Sequence, residues 1–435
     1  MINVSAEVQN ILAAAQSKAG RGKVDLSTCT VEILDTILAC GVRERASDLH
    51  IEPFDRFTRV RLRIDGQLMN VLELDNEYNV NLTNCIEVIC NLHTDAAMKR
   101  TSQDGRFSRY IGAQNYDFRV STFPTIAGEK MTIRILYEDN GLYDITNLGL
   151  TEYDLTRLEK LLQRTEGLVV VSGPTASGKT TTLYAILNRL HSIHKNIVTL
   201  ENPVEYRIAG MNQCEVNTKA NFGFADGLRA ILRQDPDIIL VGEIRDEETA
   251  DTTIRVAVSG HLVFSTIHAR GSIGTVVRLL NMGLEPFMIS YAMNGSIAQR
   301  LVRRVCPQCR EAIKPDFRVL NYLRNEYALD LNEVLYHTAE GEEKPKDTVP
   351  IEEMTFYKGK GCDYCNQTGY RGRVAIFEIV MFDDEMREAI LQKVPMKELY
   401  RVAKSRGFRP LAQDGLIKVQ QGLTTLEEVY SVLVN

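Results

Sequence analysis

The stretch Gly173-Pro174-Thr175-Ala176-Ser177-Gly178-Lys179-Thr180-Thr181 fits G-x-x-x-x-G-K-[ST] at every fixed position. Gly173 and Gly178 let the backbone curl so that successive N–H groups converge on a phosphate. Lys179 is placed to reach the β- and γ-phosphates, and the Thr180 hydroxyl to ligate Mg²⁺. Three further segments end in groups suited to phosphoryl chemistry. Ile238-Ile239-Leu240-Val241-Gly242-Glu243 resembles a Walker B strand with glycine where the metal-liganding aspartate usually stands. A carboxylate at the tip of a buried strand is costly unless used or paired, so Glu243 is expected to be the general base or to position water. Thr199-Leu200-Glu201-Asn202-Pro203-Val204-Glu205 offers Glu201 and Glu205 to hold water or Mg²⁺, or else a surface turn at Asn202-Pro203. Gly260-His261-Leu262-Val263-Phe264-Ser265-Thr266-Ile267-His268 brackets a strand with two imidazoles, of which His268 is the candidate sensor of the γ-phosphate.

A second chemistry is spelled by Cys306-Pro307-Gln308-Cys309 and Cys362-Asp363-Tyr364-Cys365. Two C-x₂-C knuckles can close a tetrahedral four-sulfur site, which suits structural Zn²⁺ in a reducing compartment. Cys29, Cys40, Cys85, Cys90 and Cys214 read as small buried apolar residues.

The elements that must carry these groups follow from periodicity. Leu168–Val171 before the glycine loop is a β-branched run, and Leu183, Ile186, Leu187, Leu190 and Ile193 after it recur at helical spacing. Ile197–Leu200, Ile238–Val241 and Leu262–Thr266 are further buried strands separated by helical segments. This βαβ rhythm predicts a mainly parallel sheet with its chemistry at the strand C-terminal ends. Thr151-x-x-Asp154 is a helix start.

Upstream, residues 24–138 read as a separate α+β domain. A helix carries Val31, Leu34, Leu38 and Val42, and strands follow at 48–52, 58–64, 67–72, 107–111, 116–121 and 131–136, with a helix at 82–98. Arg59, Arg61 and Arg63 alternate with Val60, Leu62 and Ile64, which puts an arginine row on the solvent face or toward a neighbouring domain or subunit. Residues 1–23 form a short helix and a basic hinge, which packs on the domain or docks a partner, and 139–149 are a linker. The second domain spans 150–435, with a tetracysteine lobe at 300–370, an exposed charged loop at 338–353 and a helical tail from 383 with Met386, Ile390 and Leu391 on one face.

Composition excludes other classes. With 435 residues and a formal net charge of −6, nothing in the overall balance advertises nucleic-acid binding. No apolar stretch approaches the roughly 18 residues of a membrane span, and the N-terminus lacks a secretory pattern, so a cytoplasmic protein is expected.

Taken together these segments resemble the secretion-superfamily ATPases, the motors of type II secretion and type IV pilus assembly. The resemblance runs over about residues 30–435 and includes Ala46-Ser47-Asp48-Leu49-His50-Ile51-Glu52, Arg61-Leu62-Arg63-Ile64-Asp65-Gly66, Gln103-Asp104-Gly105-Arg106, Asp117-Phe118-Arg119-Val120-Ser121-Thr122 and Gly128-Glu129-Lys130. It implies a PAS-like N-terminal domain followed by a RecA-like P-loop ATPase domain with a zinc-binding insertion, assembled as a homohexamer that uses ATP. It also implies an inner-membrane platform protein and a cytoplasmic docking protein as partners, with peripheral membrane association through them. Arg119 and Arg134 would reach the phosphates from the N-terminal domain. Arg229, Arg233 and Arg245 would lie around the nucleotide or a subunit interface. Three departures stand out: Asn202 where aspartate is usual, Ala176 for a common glycine, and an N-terminus truncated relative to many assembly ATPases. The four cysteines favour the extension branch. A pilus-retraction motor, a nucleic-acid translocase and a non-hydrolysing nucleotide-gated adaptor are the rival readings.

Overall fold

The computed structural model describes residues 7–11, 13, 26–95, 101–137, 144–217, 220–314, 316–326 and 355–434. The chain divides into two units, Met1–Glu138 and Asp139–Asn435.

In the first unit, helix α1 (Leu26–Arg43) precedes strands β1 (Asp48–Pro53), β2 (Phe57–Ile64) and β3 (Gln67–Asp75). Helix α2 (Glu77–Ile89) then leads to β4 (Asp104–Ile111), β5 (Gln114–Thr125) and β6 (Gly128–Leu136). The six strands form one antiparallel sheet in the order β3-β2-β1-β6-β5-β4. Asp65 and Gly66, at φ 48° and 87°, make the tight β2–β3 turn. The strict alternation of β2 buries Val60, Leu62 and Ile64 with Ile33, Leu34, Leu82 and Ile86 from the two helices. Both helices therefore cover one face, and the arginine side is left to the other. Helix α2 starts earlier and stops sooner than the expected 82–98. The chain turns at Asn91 (φ 54°), where the Leu92 N–H returns to the Glu87 carbonyl at 2.8 Å. Of the N-terminal helix, Val8 is buried in this core; most of residues 1–23 lie outside the described residues.

The second unit begins with α3 (Glu152–Leu162), whose Thr151 cap accepts the Asp154 N–H as its sequence predicts. It continues through β7 (Gly167–Ser172), α4 (Lys179–Leu190), β8 (Ile197–Glu201), β9 (Asn212–Glu215), α5 (Phe224–Ile231), β10 (Ile238–Ile244), α6 (Glu247–Val258) and β11 (Leu262–Ile267). Then come α7 (Gly274–Asn281), α8 (Pro286–Ala292), β12 (Met293–Val305), β13 (Arg310–Ile313), α9 (Phe317–Glu326), β14 (Phe356–Gly359) and β15 (Tyr370–Met381). Helices α10 (Asp384–Leu391), α11 (Met396–Ser405), α12 (Leu411–Gln420) and α13 (Leu426–Val434) form the tail. The sheet order is β15-β12-β7-β11-β10-β8-β9, parallel except for β12 with β15. Apolar clusters cover both faces, one led by α3 and α4, the other by α5 to α8 with α10 and α11. Two side chains expected on apolar helix faces are outside them: Ile193 is exposed beyond the end of α4, and Leu391 is exposed while Met386 and Ile390 are buried. The charged loop expected at 338–353 lies outside the described residues. Among the described residues no helix is long and apolar enough to cross a membrane.

Candidate nucleotide site and four-cysteine centre

Strand β7 delivers its last residue, Ser172, straight into the glycine loop, and α4 starts at Lys179 with Gly178 as its cap. Gly173 and Gly178 sit at φ 156° and 89°. A Cβ on Gly173 would lie 2.7 Å from the Gln299 carbonyl oxygen, and one on Gly178 2.7 Å from Gln299 Nε2. Gln299 on β12 is thus wedged under the loop, and its Oε1 also accepts from the Thr182 hydroxyl at 2.7 Å. Sequence reasoning missed this residue, because only the sheet order β12-β7 brings it there. Pro174, Thr175 and Ala176 are exposed on the outer side of the loop, whereas Ser177 is buried with its hydroxyl unsatisfied. Ala176 adopts φ 61°, the left-handed conformation that glycine takes without strain. Thr180 and Thr181 follow, half-buried, on the first turn of α4.

The Lys179 ammonium folds back on the loop, donating to the carbonyls of Gly173 (3.0 Å) and Pro174 (2.8 Å). Burial lowers its pKa, Arg300 adds to that, and Glu243 opposes. Glu243 is at the C-terminal tip of β10, with its side chain 14 % exposed and paired with Arg245 at 2.5 Å. His268 leaves the tip of β11 and lies beside the Gly173 backbone. Desolvation against the loop lowers its pKa, with Lys179 and Arg245 reinforcing and Glu243 opposing. Lys179, Glu243, Arg245 and His268 therefore meet at the loop mouth. An unsatisfied hydroxyl, a glycine cradle and an ammonium held only by carbonyls fit a polyphosphate.

The structure also explains Gly242. A Cβ there would be 3.2 Å from Glu201 Cα and from the Leu200 carbonyl oxygen, so β8 packs too close for an aspartate without displacement. Thr266 Oγ1 donates to the Gly242 carbonyl at 2.8 Å.

Glu201, expected to hold water or Mg²⁺, is 4 % exposed with both oxygens engaged. Tyr184 donates to Oε2 at 2.5 Å, while Thr199 (2.6 Å) and Gln213 (3.3 Å) donate to Oε1. Its pKa is raised by burial despite these donors. The half-buried Glu205 gives its backbone N–H to Tyr184 Oη at 3.3 Å. Arg229 and Arg233 are exposed on and just after α5. Arg229 pairs with Asp226 (2.9 Å) and Glu248 (3.0 Å), and Arg233 donates to the Arg229 carbonyl (2.9 Å).

In the first unit, cross-strand register assembles what sequence had scattered. Arg63 is opposite Asp48, Asp48 opposite Arg134, Arg134 opposite Arg119, and Arg119 opposite Arg106. Four guanidiniums share one row with one carboxylate, on the face away from the core. Arg134 Nε holds Asp48 at 3.1 Å. Along the same face Arg61 grips Glu52 through two bonds of 2.7 and 2.8 Å. These donors, with Lys130, more than offset burial and hold the Glu52 carboxyl down at about 2.

Cys306 and Cys309 precede β13, Cys362 and Cys365 follow β14, and the pairing of these two strands brings the knuckles together. Their four sulfurs lie within 4.8 Å of one another. Cys306–Cys362 and Cys309–Cys365 are 3.8 Å apart and Cys362–Cys365 3.7 Å. A tetrahedral site with Zn–S bonds of about 2.3 Å has S···S edges of about 3.8 Å. The backbone N–H groups of Cys362 (3.2 Å) and Gly369 (3.3 Å) point at Cys365 Sγ, an arrangement suited to a thiolate.

A glycine phosphate loop on an interior strand of a mostly parallel sheet, with a carboxylate and an imidazole on adjacent strand tips, defines a RecA-like P-loop ATPase. The family can be named more closely: the chain belongs to the Type II/IV secretion system protein family, whose model matches residues 25–431. It is 41% identical over 402 residues to Type II secretion system protein E of Pseudomonas aeruginosa, covering 92% of this chain and 75% of that one. It is 42% identical over 400 residues to Type IV pilus assembly ATPase PilB of Myxococcus xanthus, covering 92% and 67%. Among solved structures, the Legionella pneumophila ATPase DotB matches with a TM-score of 0.65 at 21% identity, covering 93% of this chain and 95% of that one. The ADP-bound pilus retraction motor PilT matches at 0.60 and 24%, covering 92% and 96%. These two likenesses speak for the fold. The protein is an ATPase of the secretion and pilus motor class, with the α+β sheet domain and RecA-like domain expected of it.

Proposed function

We propose that the chain is the ATP-hydrolysing subunit of a homohexameric motor that drives assembly of a type IV pilus or a type II secretion pseudopilus. It would work at the inner membrane through a platform protein and a cytoplasmic docking protein. The observation that carries this is the meeting of Lys179, Glu243 and His268 at the glycine-loop mouth, in a chain of this family. The loop N–H groups and Lys179 bind and orient the β- and γ-phosphates. Glu243 takes a proton from the attacking water, and Arg245 keeps its carboxylate aimed before ATP arrives. His268, beside the loop backbone, senses whether the γ-phosphate is there. Mg²⁺, held by the Thr180 hydroxyl, would supply neutralisation of phosphate charge. Glu201 and Glu205 support that site from behind, through Tyr184. The Arg63–Arg134–Arg119–Arg106 row is a surplus of positive charge suited to a phosphate. Arg229 and Arg233, on an exposed helix, are candidates for a subunit interface. The four cysteines hold Zn²⁺ as a closed structural site and favour extension over retraction.

Two measurements test the reading. With ATP and Mg²⁺ the purified protein is expected to release phosphate and to reach six times its 49.1 kDa chain mass in light scattering. Deletion of the coding sequence is expected to abolish pili or secretion, and a mutant that stays piliated would assign retraction instead.

A further inference from the structure

Glu378 on β15 is a fully buried carboxylate in the second unit, and the nucleotide chemistry described above does not use it. Its Oε1 accepts from the Ser272 backbone N–H (2.5 Å) and the Ser272 hydroxyl (2.9 Å). Its Oε2 accepts from the Leu411 N–H (3.0 Å), an otherwise orphaned donor at the first turn of α12. Gly271 passes so close that a Cβ there would be 2.8 Å from Oε1. Arg300, next to the wedge residue Gln299, supplies a nearby positive charge.

The partners of this carboxylate lead back to the phosphate loop. Ser172, the residue before Gly173, donates to the Gly271 carbonyl at 3.2 Å. His268, at the start of the same five-residue loop, lies beside the Gly173 backbone. The segment His268–Ser272 is thus tied through Gly271 to the residue before the glycine loop, with His268 beside Gly173, and Glu378 pins its far end to the tail helix. A buried carboxylate costs more than an apolar side chain of its size unless its bonds are needed.

We infer that Glu378 is a positioning residue for ATP hydrolysis: it fixes the His268–Ser272 loop against the phosphate loop and links both to the start of α12. This rests on the reading of His268 as the γ-phosphate sensor. Displacing a positioned group by about 1 Å can cost on the order of a hundredfold in rate. Ser272→Ala removes one donor and keeps the backbone bond. Glu378→Gln keeps the shape and sets an amide donor against an N–H donor.

The test compares steady-state phosphate release and ATP KM for Ser272→Ala, Glu378→Gln, His268→Ala and the two double variants with His268→Ala, at matched thermal stability. Ser272→Ala and Glu378→Gln are expected to lower kcat by about tenfold with KM within about threefold. Each is expected to add little to His268→Ala, because the residues act along one route. Unchanged kcat in both, or effects that multiply with that of His268→Ala, overturns the inference while leaving the His268 reading intact. An unchanged kcat in His268→Ala alone rejects the His268 reading and the inference with it.

Discussion

Asp154→Asn offers a sharp test of how the tail is fastened to the ATPase core. Asp154 is 2 % exposed on α3, and its carboxylate accepts from the Thr151 hydroxyl at 2.5 Å. Behind it lie Asp414 and Lys418 of α12, both buried and paired at 2.6 Å, and Arg409, stacked 3.5 Å over the Tyr153 ring. Burial raises the Asp154 pKa from 3.8 to about 6, with the Asp414 charge adding to it and Thr151, Lys418 and Arg409 opposing. The folded state therefore holds the proton more tightly than the unfolded chain. The stability this confers is complete below about pH 4 and is lost as pH rises through about 6. A shift of roughly two pKa units corresponds to about 2–3 kcal/mol on that order. Asparagine keeps an acceptor for Thr151 and carries no charge to bury. The variant is expected to match wild type near pH 3.5 and to be more stable by about 2–3 kcal/mol at pH 8, read by urea unfolding followed by circular dichroism. Equal stabilities at both pH values, or a loss at pH 8, would refute the reasoning.

Three further outcomes are expected. Tyr184→Phe removes the donor to the buried Glu201 and should cost about 2 kcal/mol in urea unfolding, because a buried acceptor loses its partner. Cys306→Ser should take bound zinc from one per chain to none by metal analysis and lower the melting temperature; retained stoichiometric zinc with normal stability would reject the four-sulfur site. Ala176→Gly, at φ 61°, should leave ATP KM within about twofold and stability unchanged or up by about 1 kcal/mol.

What the sequence disclosed depended on how far apart in the chain the cooperating groups lie. The glycine loop and the two cysteine knuckles are contiguous, so their residue types alone announced the chemistry. Glu243 and His268 were legible because each ends a buried strand, and parallel strands present their tips together. Glu201 also ends such a strand, yet Tyr184 and Thr199 turn its carboxylate inward, a difference that only packing decides. Gln299 and Glu378 lie on β12 and β15, which reach the site through sheet order. Arg63, Asp48, Arg134, Arg119 and Arg106 form one row through register across five strands. Helix α2 ended early because Asn91 accepts a left-handed turn that apolar periodicity does not encode.

The central claim is that Glu243, held by Arg245 at the mouth of the glycine loop, is the base for hydrolysis. Glu243→Gln preserves size and removes the charge. Its ATP affinity, measured by isothermal titration with Mg²⁺ present, is expected to stay within about threefold of wild type, while phosphate release falls by about a hundredfold or more. Phosphate release within a few-fold of wild type, at unchanged affinity, would contradict the account.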